Sequence, residues 1–204
     1  MGEISQTKKI GFSDASALSQ RLEERLERWD SYMEREKKYR ELGEGKTIPL
    51  LYNRENADSF IPEFHRENRD LWDLVRPVLR EIERNQGSGY WCRAILVKLE
   101  AGGKIAAHVD PGWPFCVQRR FHWVVGTNEK VVMICNGVQE HFGLGEIWTF
   151  NNKLPHAVMN GGEMSRVHLI ADYCAERDFL ENRIENWVPS ADEAKRLEVT
   201  FRYR

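Results

Sequence analysis

Two amphipathic stretches in the N-terminal part of the chain predict helices. From Ser13 to Leu42, apolar residues recur at spacings of three and four among many charged ones, which predicts one long helix. Ser13 or Asp14 is its expected cap, and its dense charge is typical of a solvated face with intrahelical ion pairs. A second helix is predicted from Glu67 to Arg84, with Pro77 as a kink or junction inside it.

From Tyr90 onward, the pattern changes to short runs rich in β-branched and aromatic residues, separated by Gly, Asn and Pro. This pattern predicts a mainly β fold with flanking helices: a double-stranded β-helix, or cupin-like jelly roll, preceded by N-terminal helices. The predicted strands are Cys92–Leu99, Lys104–Val109, Gln118–Val125, Lys130–Cys135, Gly145–Phe150, His156–Met159 and Arg166–Tyr173.

The length of the chain, 204 residues with 41% hydrophobic content, suits one core better than two. We therefore expect one domain overall. It would comprise an N-terminal helical segment (1–89) packed on a β-helix core (90–175), followed by a C-terminal extension (176–204). Within the extension, a short helix is predicted from Ser190 to Leu197.

Charge and cysteine usage exclude several classes of protein. The formal net charge of −2 argues against binding nucleic acid by neutralising phosphates. No apolar stretch approaches the roughly 18 to 20 residues that span a bilayer, and the N-terminus lacks the apolar core of a signal peptide. We therefore expect a soluble cytoplasmic protein with no membrane partner, and nothing indicates its oligomeric state. The four cysteines form no CxxC pair, so packed, reduced thiols are expected.

The sequence His108-Val109-Asp110 supplies two candidate metal ligands on one predicted strand. Because side chains alternate along a strand, His108 and Asp110 should face the same side. His156, at the start of a later strand, would complete the two-histidine, one-carboxylate set of non-haem Fe(II) oxygenases. An HxD pattern often occurs by chance, but this one precedes the loop Pro111–Pro114, which could cover an open site.

Arg166 follows His156 at a spacing that predicts a hairpin, with Asn160-Gly161-Gly162 as its turn. The second strand of that hairpin would return beside the first. A guanidinium in the pocket could bind the distal carboxylate of a 2-oxo diacid whose other end chelates the metal. The alternative is a structural arginine paired with Asp172 or Glu146.

In order along the chain, these motifs resemble the aspartyl/asparaginyl β-hydroxylase-like Fe(II)/2-oxoglutarate dioxygenases. The resemblance runs from about Tyr90 to Tyr173, under half of the chain, and the ordered set is more specific than any one motif. The motifs that carry it are Gly102–His108, Arg120-Phe121-His122, Gly145–Asn152, and His156 with Arg166.

The resemblance implies roles for individual residues. His108 and His156 would be iron ligands, and Arg166 would anchor the distal carboxylate of 2-oxoglutarate. Arg120 and His122 would face the pocket near the chelating end of the cosubstrate or the substrate. A one-residue slip of that strand would bring Arg119 to the pocket instead of Arg120, and both arrangements stay open.

Two positions depart from the family pattern. Asp110 supplies the acidic ligand that some members lack, so it restores the full facial triad. Val97 stands where the family often has a serine beside the distal carboxylate. His168 shares a strand face with Arg166 and is a candidate for the missing contact, although a packed histidine bonded to backbone is equally compatible.

The activity that the resemblance implies is hydroxylation of an unactivated C–H bond of an amino-acid side chain. The substrate would be an Asp/Asn-type residue in a peptide or protein, or a free amino acid. Fe(II), 2-oxoglutarate and O₂ would be used, with release of succinate and CO₂. Two other classes stay open: a cupin-like isomerase or 2-oxoglutarate-independent dioxygenase, which would not need Arg166, and a non-catalytic binding module on the same barrel.

Overall fold

The computed structural model of the protein describes residues 7–32, 45–53, 62–110 and 118–176. Within these residues, strands form two sheets, and their inner faces enclose a shared core, which confirms the predicted double-stranded β-helix. The predicted loop Pro111–Pro114 and the predicted helix Ser190–Leu197 lie outside the described residues.

The larger sheet has six strands among the described residues, and each is antiparallel to its neighbours. The longest two pair with each other over their whole length near the middle of this sheet. Across the sheet, the strands are β1 (Thr7–Phe12), β8 (Glu146–Phe150), β5 (Gln118–Gly126), β10 (Arg166–Ala175), β3 (Gly89–Leu99) and β2 (Gly45–Leu51).

The smaller sheet has four antiparallel strands in the part of the chain that the structure describes. Across the sheet, they are β4 (Lys104–His108), β9 (His156–Asn160), β6 (Val131–Cys135) and β7 (Val138–Glu140). Asn136 and Gly137 join β6 to β7 with φ angles of 49° and 81°. An Asn-Gly pair with positive φ at both positions is the preferred two-residue connection of a hairpin.

Within the described ranges, two helices cover the outer face of the larger sheet: α1 (Ser16–Glu23) and α2 (Arg69–Glu83). The second confirms its prediction, and Pro77 lies within it on the exposed side without ending it. No helix in the described ranges is long and apolar enough to cross a membrane. The side chains of α2 that join the core are Leu71, Val75, Val78, Leu79 and Ile82.

The prediction of one long helix from Ser13 to Leu42 is wrong. The α-helix ends at Glu23, and a 3-10 turn follows at Leu26–Asp30. A continuous helix would place Leu26 and Trp29 on one stripe. In the structure, Leu26 is 61% exposed and Trp29 only 1%, because the break turns the indole under the Lys98 ammonium, 5.3 Å from its ring centre. The remainder of the predicted helix lies in residues that the structure does not describe.

The N-terminal segment, expected to be helical, also contributes two edge strands to the larger sheet. Strand β1 is mostly polar, so it lacks the apolar alternation that would have indicated it. Strand β2 contains Pro49, which argues against a strand in sequence but is tolerated at the edge of a sheet.

The predicted hairpin between His156 and Arg166 is also wrong, because β9 and β10 belong to different sheets. The link between them crosses from the smaller sheet to the larger one. Asn160 organises this crossing: its side-chain nitrogen donates to the carbonyls of Leu99, Glu100 and Met164 at 3.2, 3.0 and 2.9 Å. His156 and Arg166 therefore reach the space between the sheets from opposite walls.

We expect Asn160→Ala to lower the free energy of unfolding by about 2 to 4 kcal/mol, because it removes a buried amide that donates to three carbonyls at the crossing. Urea denaturation followed by tryptophan fluorescence measures the change. Met159→Ala is the matched control, since that side chain is 53% exposed on the same strand. Equal stabilities of the two variants would contradict this role of Asn160.

Candidate active site

His108 and His156 lie directly opposite each other on β4 and β9, with ring centres 4.2 Å apart. In each ring, Nδ1 hydrogen bonds to the carbonyl two residues earlier: His108 to Ala106 at 2.8 Å and His156 to Leu154 at 2.9 Å. A neutral histidine that donates from Nδ1 presents the lone pair of Nε2. Both histidines therefore have the tautomer that a metal ligand needs.

Asp110 completes the cluster, just beyond the end of β4. Its backbone N–H donates to the Asn152 carbonyl at 3.1 Å, which fixes the chain after the strand. Its Oδ1 lies 3.7 Å from His108 Nε2, and one ligand atom from each of His108, Asp110 and His156 lies within 4.8 Å of the others. The structure thus brings together the three ligands that the sequence predicted, and their nitrogen and oxygen donors suit Fe(II).

The electrostatics of the cluster keep His156 and Asp110 deprotonated. Burial lowers the pKa of His156 to about 4, so its ring is neutral near pH 7. Burial alone would raise the pKa of Asp110, but the Arg120 charge and the Asn152 hydrogen bond outweigh it and hold that pKa below its usual range. A carboxylate with neutral imidazoles is the protonation state that binds a divalent cation.

Arg120, not Arg119, faces the space between the sheets. Arg120 is 7% exposed and donates to the carboxylates of Asp110 and Asp172. Arg119 points to the other side of β5, where it donates to Gln86 at 3.1 Å. The strand register therefore settles the alternative that the sequence left open.

A second polar cluster lies on the inner face of β10 and β5 and consists of Arg166, His168 and His122. Arg166 Nη2 donates to His168 Nδ1 at 2.7 Å, and His122 Nδ1 lies 3.2 Å from that same nitrogen. Arg166 and His168 are each 1% exposed and His122 3%. Val97, on β3, lies directly opposite His168, so no serine is present at that position.

The second cluster contains buried polar atoms without a hydrogen-bond partner among the described residues: Arg166 Nε and Nη1, His122 Nε2 and His168 Nε2. The acids that might have paired with Arg166 are bound elsewhere, Asp172 to Arg120 and Glu146 to Lys9. Burial lowers the pKa of Arg166 to about 9. Burial, followed by the charge of Arg166, depresses the pKa values of both histidines.

Aromatic rings form a wall beside the two histidines of this cluster. The ring of Phe150 is 5.1 Å from that of His122 and 5.1 Å from that of His156, so it lies between the two clusters. Phe142 stacks on Trp148 at 4.3 Å behind them. These rings exclude water, which strengthens the interactions of any charge that enters.

Two contributing residues, Asn152 and Asp172, were not predicted to have the partners that the structure gives them. Asn152 is 3% exposed and donates to Asp110 Oδ2 at 3.0 Å. It ends the motif Gly145–Asn152, so the motif signalled its position but not its partner. Asp172 shares a strand face with Arg166 and His168 by alternation, yet its bond to Arg120 depends on which strands are neighbours. The loop residues Trp113 and Cys116 lie outside the described residues.

Comparison with solved structures supports the fold. A prolyl-4-hydroxylase from Pseudomonas putida matches with a TM-score of 0.51 and 14% identity over 84% of this chain and 93% of its own. A viral collagen prolyl hydroxylase from Paramecium bursaria Chlorella virus 1, solved with 2-oxoglutarate, matches with a TM-score of 0.51 and 11% identity over 84% and 96%. At these identities, the likeness shows a shared fold.

A protein-family model matches most of the chain. The model of the aspartyl/asparaginyl beta-hydroxylase family matches residues 11–176, which include both polar clusters and α1 and α2. The match extends well beyond the region that carried the resemblance in sequence. The chain therefore belongs to the aspartyl/asparaginyl β-hydroxylase family and is a 2-oxoglutarate-dependent hydroxylase that uses Fe(II) and O₂.

Proposed function

We propose that the protein hydroxylates an amino-acid side chain, free or within a peptide or protein, and releases succinate and CO₂. In this proposal, His108, Asp110 and His156 hold Fe(II). Arg166 holds the distal carboxylate of 2-oxoglutarate, with His168 as a second contact. The observation that carries the proposal is the pairing of a two-histidine, one-carboxylate cluster with a buried arginine that has unused donors.

The assignment of the iron ligands is supported by the fixed orientation of the rings. The carbonyls of Ala106 and Leu154 occupy Nδ1 of His108 and His156, so only Nε2 is available to a metal. Hydrogen bonds of this kind orient a histidine ligand and raise its basicity. Such a set leaves coordination positions open for cosubstrate and oxygen.

The assignment of Arg166 is supported by the cost of burying its charge. A guanidinium that is 1% exposed and has two nitrogens without a partner loses its hydration without full compensation. A carboxylate would restore the missing hydrogen bonds, and a planar guanidinium suits it in bidentate geometry. A metalloenzyme independent of 2-oxoglutarate would not need a buried arginine at this position.

His168 extends the same anion site. Because Arg166 donates to Nδ1 of His168, a neutral His168 carries its proton on Nε2 and is a donor there. This supports His168 as the second contact to the distal carboxylate, in place of the serine that Val97 replaces. Within the second cluster, His122 is in ring contact with both His168 and Phe150, and Phe150 also contacts His156, which supports a role of His122 at the chelating end of the cosubstrate.

When Fe(II), 2-oxoglutarate and O₂ are bound together, they supply an oxidant that places one oxygen atom in the substrate as hydroxyl and the other in succinate, with loss of CO₂. The residues of this chain bind, orient and shield the reactants. Arg166 neutralises the distal carboxylate, and the aromatic wall keeps bulk water away from the reacting centre. The amino-acid substrate class rests on family membership.

We expect substitutions in the two clusters to separate metal binding from cosubstrate binding. His156→Ala should abolish tight Fe(II) binding, because the facial set loses a ligand. Arg166→Met should keep Fe(II) but raise the Kd of 2-oxoglutarate by about 100-fold or more, since a buried charged pair is lost. Anaerobic titration, followed by the absorption band of the iron–2-oxoglutarate chelate, measures both. A normal 2-oxoglutarate titration of Arg166→Met would overturn its assignment.

Without cosubstrate, Arg166→Met should raise the free energy of unfolding by about 1 to 3 kcal/mol at pH 7, because it removes a buried charge without full compensation. Burial lowers the pKa of Arg166 in the folded protein to about 9, below its usual value. The destabilisation by the buried charge is therefore present at pH 7 and fades above pH 9. Arg120→Met is the control, and it should lower the free energy of unfolding, since it removes the guanidinium that binds the carboxylates of Asp172 and Asp110. Denaturation in urea at pH 7 and 9.5 compares them, and destabilisation by Arg166→Met would contradict the interpretation.

The substrate class is tested by turnover under ¹⁸O₂. Free amino acids and peptides that contain Asp or Asn are each incubated with enzyme, Fe(II) and 2-oxoglutarate. We expect one class to gain a single ¹⁸O atom and to stimulate the formation of succinate in equal amount. Asp110→Ala is the control, and it should lose both signals. Stimulated succinate with no oxygen in any of these substrates would contradict an amino-acid substrate.

A further inference from the structure

We propose that Arg120 is a positioning residue: anchored by Asp172 on the larger sheet, it clamps one oxygen of Asp110 so that only the other can bind iron. The proposal deepens the assignment of Asp110 as an iron ligand and rests on it. The resemblance to the family implied instead that Arg120 contacts the cosubstrate or the substrate. The two roles differ in what a substitution of Arg120 should change.

The anchor of the clamp is a bidentate ion pair between neighbouring strands. Arg120 Nε and Nη2 donate to Asp172 Oδ1 and Oδ2 at 2.8 and 2.9 Å, and the two residues are directly opposite in the pairing of β5 with β10. Asp172 is fully buried, and Arg120 is 7% exposed. Two parallel hydrogen bonds fix the plane of a guanidinium, so the third nitrogen, Nη1, has a set direction.

That third nitrogen donates to Asp110 Oδ2. Asn152 donates to the same oxygen at 3.0 Å, so Oδ2 accepts two hydrogen bonds from protein groups. The other oxygen, Oδ1, is the one that lies 3.7 Å from His108 Nε2. The carboxylate is therefore divided: one oxygen is held by the protein, and the other faces the histidine ligands.

The position of Asp110 explains why a clamp is needed. Strand β4 ends at His108, so Asp110 lies beyond the ladder that orders the two histidines. Its backbone is held by one hydrogen bond to Asn152, but a carboxylate still rotates about its side-chain bonds. Arg120, which lies on the opposite sheet, restricts the rotation of the Asp110 carboxylate. The same contact connects the two sheets at the proposed ligand.

The charge of Arg120 makes this inference testable. A guanidinium in contact with a ligand repels a divalent cation, so its charge alone would weaken metal binding. Asp172 offsets that charge through the bidentate pair. If Arg120 positions Asp110, the loss of its planar geometry should weaken metal binding even when its charge is kept.

The experiment uses Arg120→Lys in the full chain, with Co(II) as the metal probe. Lysine keeps the charge but cannot form the bidentate pair with Asp172 while reaching Asp110. We expect the Kd of Co(II) to rise about tenfold, as is typical when a partner of a metal ligand is changed, and the visible Co(II) spectrum to change. The Kd of 2-oxoglutarate, measured on protein saturated with Co(II), should change little. Arg119→Lys, on the other face of the same strand, should leave both unchanged.

The contrary outcomes are distinct. Unchanged Co(II) affinity with weaker 2-oxoglutarate binding would overturn the clamp and favour direct contact with the cosubstrate. Unchanged values of both would overturn it as well. If circular dichroism shows that Arg120→Lys does not fold, the same Co(II) titration is made with Asp172→Asn, which weakens the anchor and leaves Arg120 in place. A folded Asp172→Asn protein with wild-type Co(II) affinity would overturn the proposal. If the wild-type protein binds no Co(II), the iron site itself is wrong.

Discussion

The pairing of buried charges between the two sheets is the interaction on which the site depends. Asp110 approaches from the smaller sheet, and Arg120 and Asp172 from the larger one, so their ion pairs join the two walls where the metal ligands meet. A buried charge is costly unless it is paired. This part of the interior is satisfied by the chain itself, whereas the cluster around Arg166 has buried polar atoms without a partner among the described residues; in our proposal, a bound anion completes them. The space between the sheets therefore contains one polar network whose charges are paired within the protein and one polar cluster that holds these unpaired atoms.

Much of the site could be predicted from residue types and strand alternation. His108, Asp110 and His156 were recognisable because imidazole and carboxylate at that spacing suit iron, and the structure places their ligand atoms together. The shared face of Arg166 and His168 followed from the period of a strand, and their side chains do touch. The strands from Tyr90 onward, except β7, were found because they are runs rich in β-branched and aromatic residues bounded by turn residues.

The remainder depended on tertiary contacts that local pattern does not encode. Turn chemistry at Asn160-Gly161-Gly162 could not distinguish a hairpin from a crossing between sheets, because two carbonyl partners of Asn160, Leu99 and Glu100, come from a distant segment. The first helix breaks after Glu23 because Trp29 has a buried place beneath Lys98, which no periodicity reveals. Arg120 and Arg119 were indistinguishable until the register of β5 was known.

Strand β10 carries polar side chains of both clusters on one face. Its inward side chains are, in order, Arg166, His168, Ile170 and Asp172, so an apolar residue separates the anion site from the clamped carboxylate network. Since a strand rises about 3.3 Å per residue, the backbones of His168 and Asp172 are roughly 13 Å apart. Ile170 packs with Ile95 and Val97 in an apolar cluster between them. Because all four side chains lie on one face of a single strand, a shift of β10 by one residue would remove the anion site and the charge network from the space between the sheets together.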